Sequence, residues 1–168
     1  MGTTRSVAIQ LAWQRRDLYE GEFGLRSTVD PDLGALWLEA GLDTGVRVVG
    51  MPGAIGRVMR NGLLRSEIHA PVISHADTGC ACGRSRRWQF LSAAAPEDVQ
   101  HIRGISNDPL LVVHKVSAYL GMRVRLPAPG DPRHVWIDPP VPGEMPYFGN
   151  FVDRVRHVFT QMTGNEVR

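Results

Sequence analysis

Two short apolar runs, residues 71–74 and 88–91, flank a polar insert that contains glycines, and this pair most constrains how the chain can fold. Runs of this length that are rich in Val, Ile, Trp and Phe are typical of β-strands, and the long insert indicates a loop between them. We therefore expect residues 70–92 to form the centre of a β-sheet. Any functional site should border the loop, because the loop collects histidine, aspartate, cysteine and arginine side chains.

A strand, a helix and a strand are predicted in succession ahead of that loop. Residues 46–51 form a β-branched run bounded by Gly45 and Pro52, which predicts a strand. Residues 53–64 carry apolar side chains at helical spacing and predict a helix that crosses back to the strand at 71–74. The sequence therefore predicts an α/β or α+β fold, with a mixed sheet of about five strands and helices packed against it.

The remaining elements fit one domain that spans residues 1–168. Residues 31–40 predict a helix with Asp30 as its cap and Gly41 as its end. In the N-terminal segment, residues 1–29, the pattern of residues 6–16 fits either a helix or a strand. Residues 19–27 predict a loop. Two alternating stretches, residues 122–126 and 134–138, predict a hairpin whose outer face shows Arg123 and Arg125.

The C-terminal part of the chain contains its clearest helical pattern. Residues 139–146 form a proline-rich connector without regular structure. Residues 147–163 then form a helix with one apolar stripe, made of Phe148, Phe151, Val152, Val155, Val158, Phe159 and Met162. One interpretation of this stripe is a homodimer interface, which would make the chain a protein–protein interaction module.

Composition narrows the class of protein only moderately. The 168 residues carry a formal net charge of +2, which is well short of the strongly basic balance that by itself marks a nucleic-acid binder. Nearly all of the positive charge is arginine, since Lys115 is the only lysine. The chain lacks a long apolar run and a secretion signal, so we expect no membrane partner and a cytoplasmic location.

Metal binding is one hypothesis for the central loop. His69, His75, Cys80 and Cys82 are ligand types that zinc prefers. Their spacing differs from the common zinc patterns, which place two to four residues between cysteines. The alternatives are therefore a metal-dependent enzyme built on these four residues and a surface loop with incidental histidines and cysteines, with no cofactor.

Nucleic-acid binding is a second hypothesis. Arginine next to an indole ring can hold a phosphate while a base stacks. The candidate contact residues are Arg84, Arg86, Arg87, Trp88, Arg123 and Arg125. A buried strand with a solvated basic lead-in would produce the same pattern. Familiar phosphate-binding and hydrolase motifs are not present in the sequence.

The order of these elements resembles that of a known family. Residues 45–52, the helix from Gly53, residues 70–73 and residues 87–91 resemble the N-terminal catalytic domain of bifunctional primase–polymerase proteins, especially small degenerate relatives from bacteria with G+C-rich genomes. The stretch 134–140 with the terminal helix resembles the closing part of the same proteins. The resemblance covers roughly residues 41–160.

That resemblance implies a sheet like that of RNA-recognition domains, with strand-end carboxylates that hold divalent metal and a histidine on a neighbouring strand. Here residues 46–51 contain no carboxylate and residues 88–91 contain no histidine. Two metal ions cannot be held without carboxylates. We therefore expect a non-catalytic binding or regulatory protein that contacts single-stranded nucleic acid or another protein, and we expect no catalytic residues.

Overall fold

The computed structural model describes residues 2–41, 43–76, 86–95, 98–119 and 121–164, which form five helices and eight strands. The helices are α1 (Gly2–Phe23), α2 (Gly53–Leu64), α3 (Asp98–Asn107), α4 (Pro109–Val113) and α5 (Phe148–Gly164). The strands are β1 (Ser27–Val29), β2 (Leu36–Ala40), β3 (Val46–Pro52), β4 (Val72–Ala76), β5 (Arg86–Ala93), β6 (Ser117–Tyr119), β7 (Met122–Leu126) and β8 (His134–Asp138).

The larger sheet has five strands in the order β6-β3-β5-β4-β8. Strand β5 lies between β3 and β4 and is antiparallel to both, so β3 and β4 are parallel to each other with α2 as their crossover. The succession β3-α2-β4-β5-α3-α4-β6 is therefore a split β-α-β arrangement of the ferredoxin-like type, extended at one edge by β8. The predicted fold class is confirmed, although every pair of neighbouring strands is antiparallel.

Both faces of this sheet are covered, which explains why six of the seven residues of β3 are buried. On one face, Val49, Met51 and Phe90 pack in a core with residues of α2, α3 and α5. On the other face, Val48 and Leu91 pack against α1 and a smaller sheet of order β1-β2-β7. Strand β3 and the inner part of β5 are therefore mostly apolar, because both faces of the sheet are covered there.

The prediction of a helix over residues 31–40 is wrong. Asp30 does cap a turn, since its Oδ1 accepts hydrogen bonds from the backbone N of Asp32 at 2.8 Å and of Leu33 at 3.0 Å. Gly34 then adopts a φ of 62°, a conformation that ends the turn, and Leu36–Ala40 forms β2. Alternate residues of β2 are buried, so the same apolar side chains that fit a helical period serve a strand paired with β7.

Two further predictions differ from the structure. Helix α1 extends to Phe23, so much of the predicted loop over residues 19–27 is helical and the rest leads into β1. Residues 122–126 and 134–138 are strands as predicted, but they do not form a hairpin with each other. Strand β7 pairs with β2 in the smaller sheet, whereas β8 pairs with β4 in the larger one.

The C-terminal helix is confirmed as α5, and residues 139–146 contain no helix or strand. Its stripe, however, is internal to the chain: Phe148, Phe151, Val152, Val155 and Phe159 are all 0% exposed. The interpretation of this stripe as a dimer interface is therefore wrong, because the stripe already fills the protein's own core. Among the described helices, none has the length and apolar character needed to cross a bilayer.

Candidate nucleic-acid interface

One end of the larger sheet collects positive charge from four separate parts of the chain. Strand β3 ends there and leads into α2, and the pairing of Pro52 with Arg87 shows that β5 begins at the same end. The starts of β6 and β8 lie there too, since Ser117 pairs with Gly50 of β3 and His134 pairs with His75 of β4. We call the cationic side chains at this end the basic rim: Arg57, Arg86, Arg87, Lys115 and Arg133.

Arg86 and Arg87 lie on opposite faces of the sheet because successive residues of a strand alternate. The Arg86 Nε donates to Ser74 Oγ at 2.6 Å and its Nη2 donates to the carbonyl of Arg133 at 3.3 Å. The Arg87 Nη2 donates to the carbonyl of Lys115 at 3.2 Å on the other side. These hydrogen bonds hold one cation on each face of the sheet at this end, next to the rest of the basic rim.

The basic rim is accessible to solvent, and the ion pairs of the described residues leave its charge in place. Four of its members are exposed and Arg87 is half-buried. In the described ranges none of the five forms an ion pair with a carboxylate. Uncompensated positive charge at one edge produces a field that attracts polyanions.

A groove of about 630 Å³ opens beside the rim on the face that carries α2. Arg57 and Arg86 line it together with the half-buried Trp88, and Val135 and Ile137 of β8 add apolar surface. We call it the Trp88 groove. The start of α2 borders it, and that helix has no acidic residue in its first turn and no side-chain cap. The groove therefore combines cations and an aromatic ring at the start of a helix.

The other predicted arginines interact with carboxylates or fall outside the described residues. Arg123 lies on β7 of the smaller sheet, where its Nη2 pairs with Glu39 at 3.3 Å. The Arg125 Nε lies 3.1 Å from Asp131, and its guanidinium sits 5.9 Å from the centre of the Trp37 ring. Arg84 is not among the described residues. The structure thus brings together Arg86, Arg87 and Trp88, and it does not place Arg123 with them.

Sequence reasoning missed Arg57, Lys115 and Arg133. Arg57 lies in the first half of α2, Lys115 lies two residues before β6, and Arg133 directly precedes β8. Basic residues that cluster at strand ends were the only available signal. That signal becomes informative only when strand order is known.

The candidate metal ligands are not assembled in the described part of the chain. Strand β4 advances by roughly 10 Å between Val72 and His75. His69 precedes Val72 and lies on the side away from His75. A shared zinc ion needs both ring nitrogens at about 2 Å. Cys80 and Cys82 fall outside the described residues, and in the described ranges no group of three or more His, Cys, Asp or Glu side chains could hold an ion.

His75 instead stacks against His134 on the neighbouring strand, with ring centroids 5.9 Å apart. The Nδ1 of His134 lies 2.9 Å from Asp131 Oδ2, so the ring donates its Nδ1–H to that carboxylate. Burial lowers the pKa of the His134 imidazole below its ordinary value, and the nearby charges of Arg125 and Arg133 act in the same direction against the effect of Asp131. His134 is therefore held neutral beside the rim at pH 7.

Asp131 is held ionised in the same arrangement. Burial by itself raises the pKa of its carboxyl. The backbone N–H of Arg133, His134 and the charge of Arg125 outweigh burial, so the pKa of Asp131 lies below its ordinary value. The carboxylate of Asp131 is thus already engaged with Arg125, Arg133 and His134.

No family model, no curated protein and no solved structure matches this chain. The resemblance to primase–polymerase proteins accordingly stays an expectation.

Proposed function

We propose that this protein binds single-stranded nucleic acid at the basic rim and acts there as a binding or regulatory protein. The single observation that supports the proposal is the group of five cations at one sheet end without carboxylate partners in the described residues. Such a group attracts a phosphate backbone mainly through release of counterions. The protein acts in the cytoplasm, which is the location that the sequence favours.

The Trp88 groove favours a single strand over a duplex. Trp88 is half-buried in the lining of the groove, so a base must leave its stack to reach the indole ring. Single strands offer unstacked bases, whereas in a duplex the base faces are hidden. A positively charged rim next to an aromatic ring is the combination on which binding of single strands depends.

The middle strands supply no groups for metal-dependent nucleotidyl transfer. Strands β3 and β5 contain no aspartate or glutamate, and the carboxylate of Asp138 on β8 is bound by Arg60 at 2.7 Å. Divalent metal at these strands would lack ligands. This is the departure from the primase–polymerase pattern that makes binding, rather than nucleotidyl transfer, the proposed role.

The experiment is a salt titration of binding to a fluorescent single-stranded oligonucleotide, followed by anisotropy. If all five cations contact phosphates, the slope of log K against log salt approaches about −3.5, that is roughly −0.7 for each contact. The Arg86→Ala/Arg87→Ala variant should weaken binding and make the slope less steep by about 1.4. Arg57→Ala should change the slope by about half as much.

Arg123→Ala is the matched control, because Arg123 is exposed, carries the same charge and lies on the smaller sheet. It should bind the oligonucleotide as the unmodified protein does. Arg57 makes no hydrogen bond or ion pair in the described ranges, so its loss tests charge without disturbing the fold. Binding that is absent, independent of salt or equally reduced by Arg123→Ala would contradict the proposal.

A further inference from the structure

The Trp88 groove exists because two glycines let α2 approach β5 closely. A Cβ on Gly56 would lie 2.9 Å from both Cβ and Cε3 of Trp88. A Cβ on Gly53 would lie 2.9 Å from the carbonyl oxygen of Arg86. Both distances are shorter than real Cβ contacts, so only glycine permits this approach. The helix start, the indole ring and Arg86 are thereby held around one space.

The polar groups that line this space are hydrogen-bond donors. The Trp88 Nε1–H and the Arg57 guanidinium have no hydrogen-bond partner in the described residues. The side-chain acceptor in the lining, Ser74 Oγ, is taken by Arg86 Nε at 2.6 Å. No carboxylate lines the groove among the described residues. A ligand that satisfies these groups must be rich in acceptors and negatively charged.

The rest of the lining is apolar. Val135 is 37% exposed, and Ile137 and Trp88 are half-buried. A lining that combines apolar surface with two arginines accommodates a ligand with a flat ring and an anionic group. The groove volume of about 630 Å³ is within the ordinary range of small-ligand sites, which is about 300–1,000 Å³. A phosphate ester that carries a planar base has both parts.

We infer that the Trp88 groove is a nucleotide subsite that takes one nucleoside phosphate, with its phosphate between Arg57 and Arg86 and its base against Trp88, Val135 and Ile137. This inference rests on the proposed function and deepens it. The basic rim supplies affinity along the strand, and the groove captures a single unstacked nucleotide.

The test uses the indole N–H signals of the whole protein in ¹H–¹⁵N NMR spectra. The chain has four tryptophans, and Trp88→Phe identifies the Trp88 signal by its disappearance. Trp136 provides an internal control, since its Nε1 already donates to Tyr19 Oη at 2.7 Å. The probes are uridine and adenosine 5′-monophosphate, with ribose 5-phosphate as the probe without a base.

Both nucleotides should move the Trp88 signal in a saturable way while the Trp136 signal stays unchanged. Ribose 5-phosphate should bind about tenfold more weakly, because it lacks the ring that covers Trp88. Arg57→Ala should weaken nucleotide binding roughly fivefold, and Arg123→Ala should not.

Equal affinity for ribose 5-phosphate and the nucleotides overturns the inference, as does a Trp88 signal that no nucleotide moves at millimolar concentration. Oligonucleotide binding with no nucleotide binding removes the subsite and leaves the proposed function. Nucleotide binding without oligonucleotide binding removes the proposed function and leaves the subsite. Loss of both removes both.

Discussion

The buried ion pair between Arg47 and Asp98 offers the sharpest test of how this fold is held together. The Arg47 Nε lies 2.8 Å from Asp98 Oδ2, and the two side chains are 5% and 2% exposed. The pair joins the start of β3 to the start of α3. Asp98 Oδ2 also accepts a hydrogen bond from the backbone N of Ala95 at 2.8 Å.

Asp98→Ala removes the carboxylate that lies against the buried Arg47 guanidinium. Such changes typically cost about 3–5 kcal/mol. Arg47 keeps hydrogen bonds to the carbonyls of Gly41, Thr44 and Val46, so we expect a loss at the lower end, about 3 kcal/mol. That is a large share of a total stability of about 5–15 kcal/mol.

The double variant Arg47→Met/Asp98→Ala should be more stable than Asp98→Ala, because no buried charge remains. The assay is urea unfolding followed by circular dichroism, since urea does not screen charges as guanidinium chloride does. Glu39→Ala is the control: it breaks an ion pair whose side chains are 57–63% exposed and should cost less than about 1 kcal/mol. Equal losses of unfolding free energy for Asp98→Ala and Glu39→Ala would refute this reasoning. A double variant that is less stable than Asp98→Ala would do the same.

Two further predictions concern packing and pH. Gly56→Ala should displace Trp88 and lower the free energy of unfolding by about 1–3 kcal/mol through overpacking. Gly21→Ala places its Cβ with nothing within 4 Å and should stabilise α1 by about 0.4–1 kcal/mol. Urea unfolding and Trp emission of both variants test these expectations. The lowered pKa of His134 means that, below its ordinary value of 6.5, the unfolded chain binds a proton that the folded chain does not. Its stabilising contribution is complete above that pH and is lost as the pH falls through the folded-state pKa, so His134→Gln should flatten the fall in stability between about pH 7 and pH 5, and an unchanged slope argues against it.

Local pattern identified the elements whose burial is the same whatever the strand order. Strand β3 is mostly apolar because both of its faces are covered, and the apolar stripe of α5 packs against the core. Helix α2 begins and ends at the residues that its sequence pattern predicts. In each case the signal lies within one element, so no long-range information was needed.

Residues 31–40 show where local pattern was insufficient. Leu36 and Ala40 fit one face of a helix, and together with Leu38 they also fit one face of a strand. Pairing of β2 with β7, more than eighty residues away in the register of Leu36 with Leu126, decides between the two. Helix propensities differ by roughly a few tenths of a kcal/mol per residue. The hydrogen bonds and side-chain burial gained by pairing in the sheet contribute more, so tertiary pairing outweighs helix propensity.

The candidate site divides in the same way. The sequence by itself determined that Arg86 and Arg87 precede a strand with Trp88 inside it, and that the middle strands contain no carboxylates. Only the tertiary structure decided that Arg57, Lys115 and Arg133 join them at one sheet end. Strand order and direction depend on pairing between distant segments, and the periodicity of a single segment carries no information about which neighbour it will have.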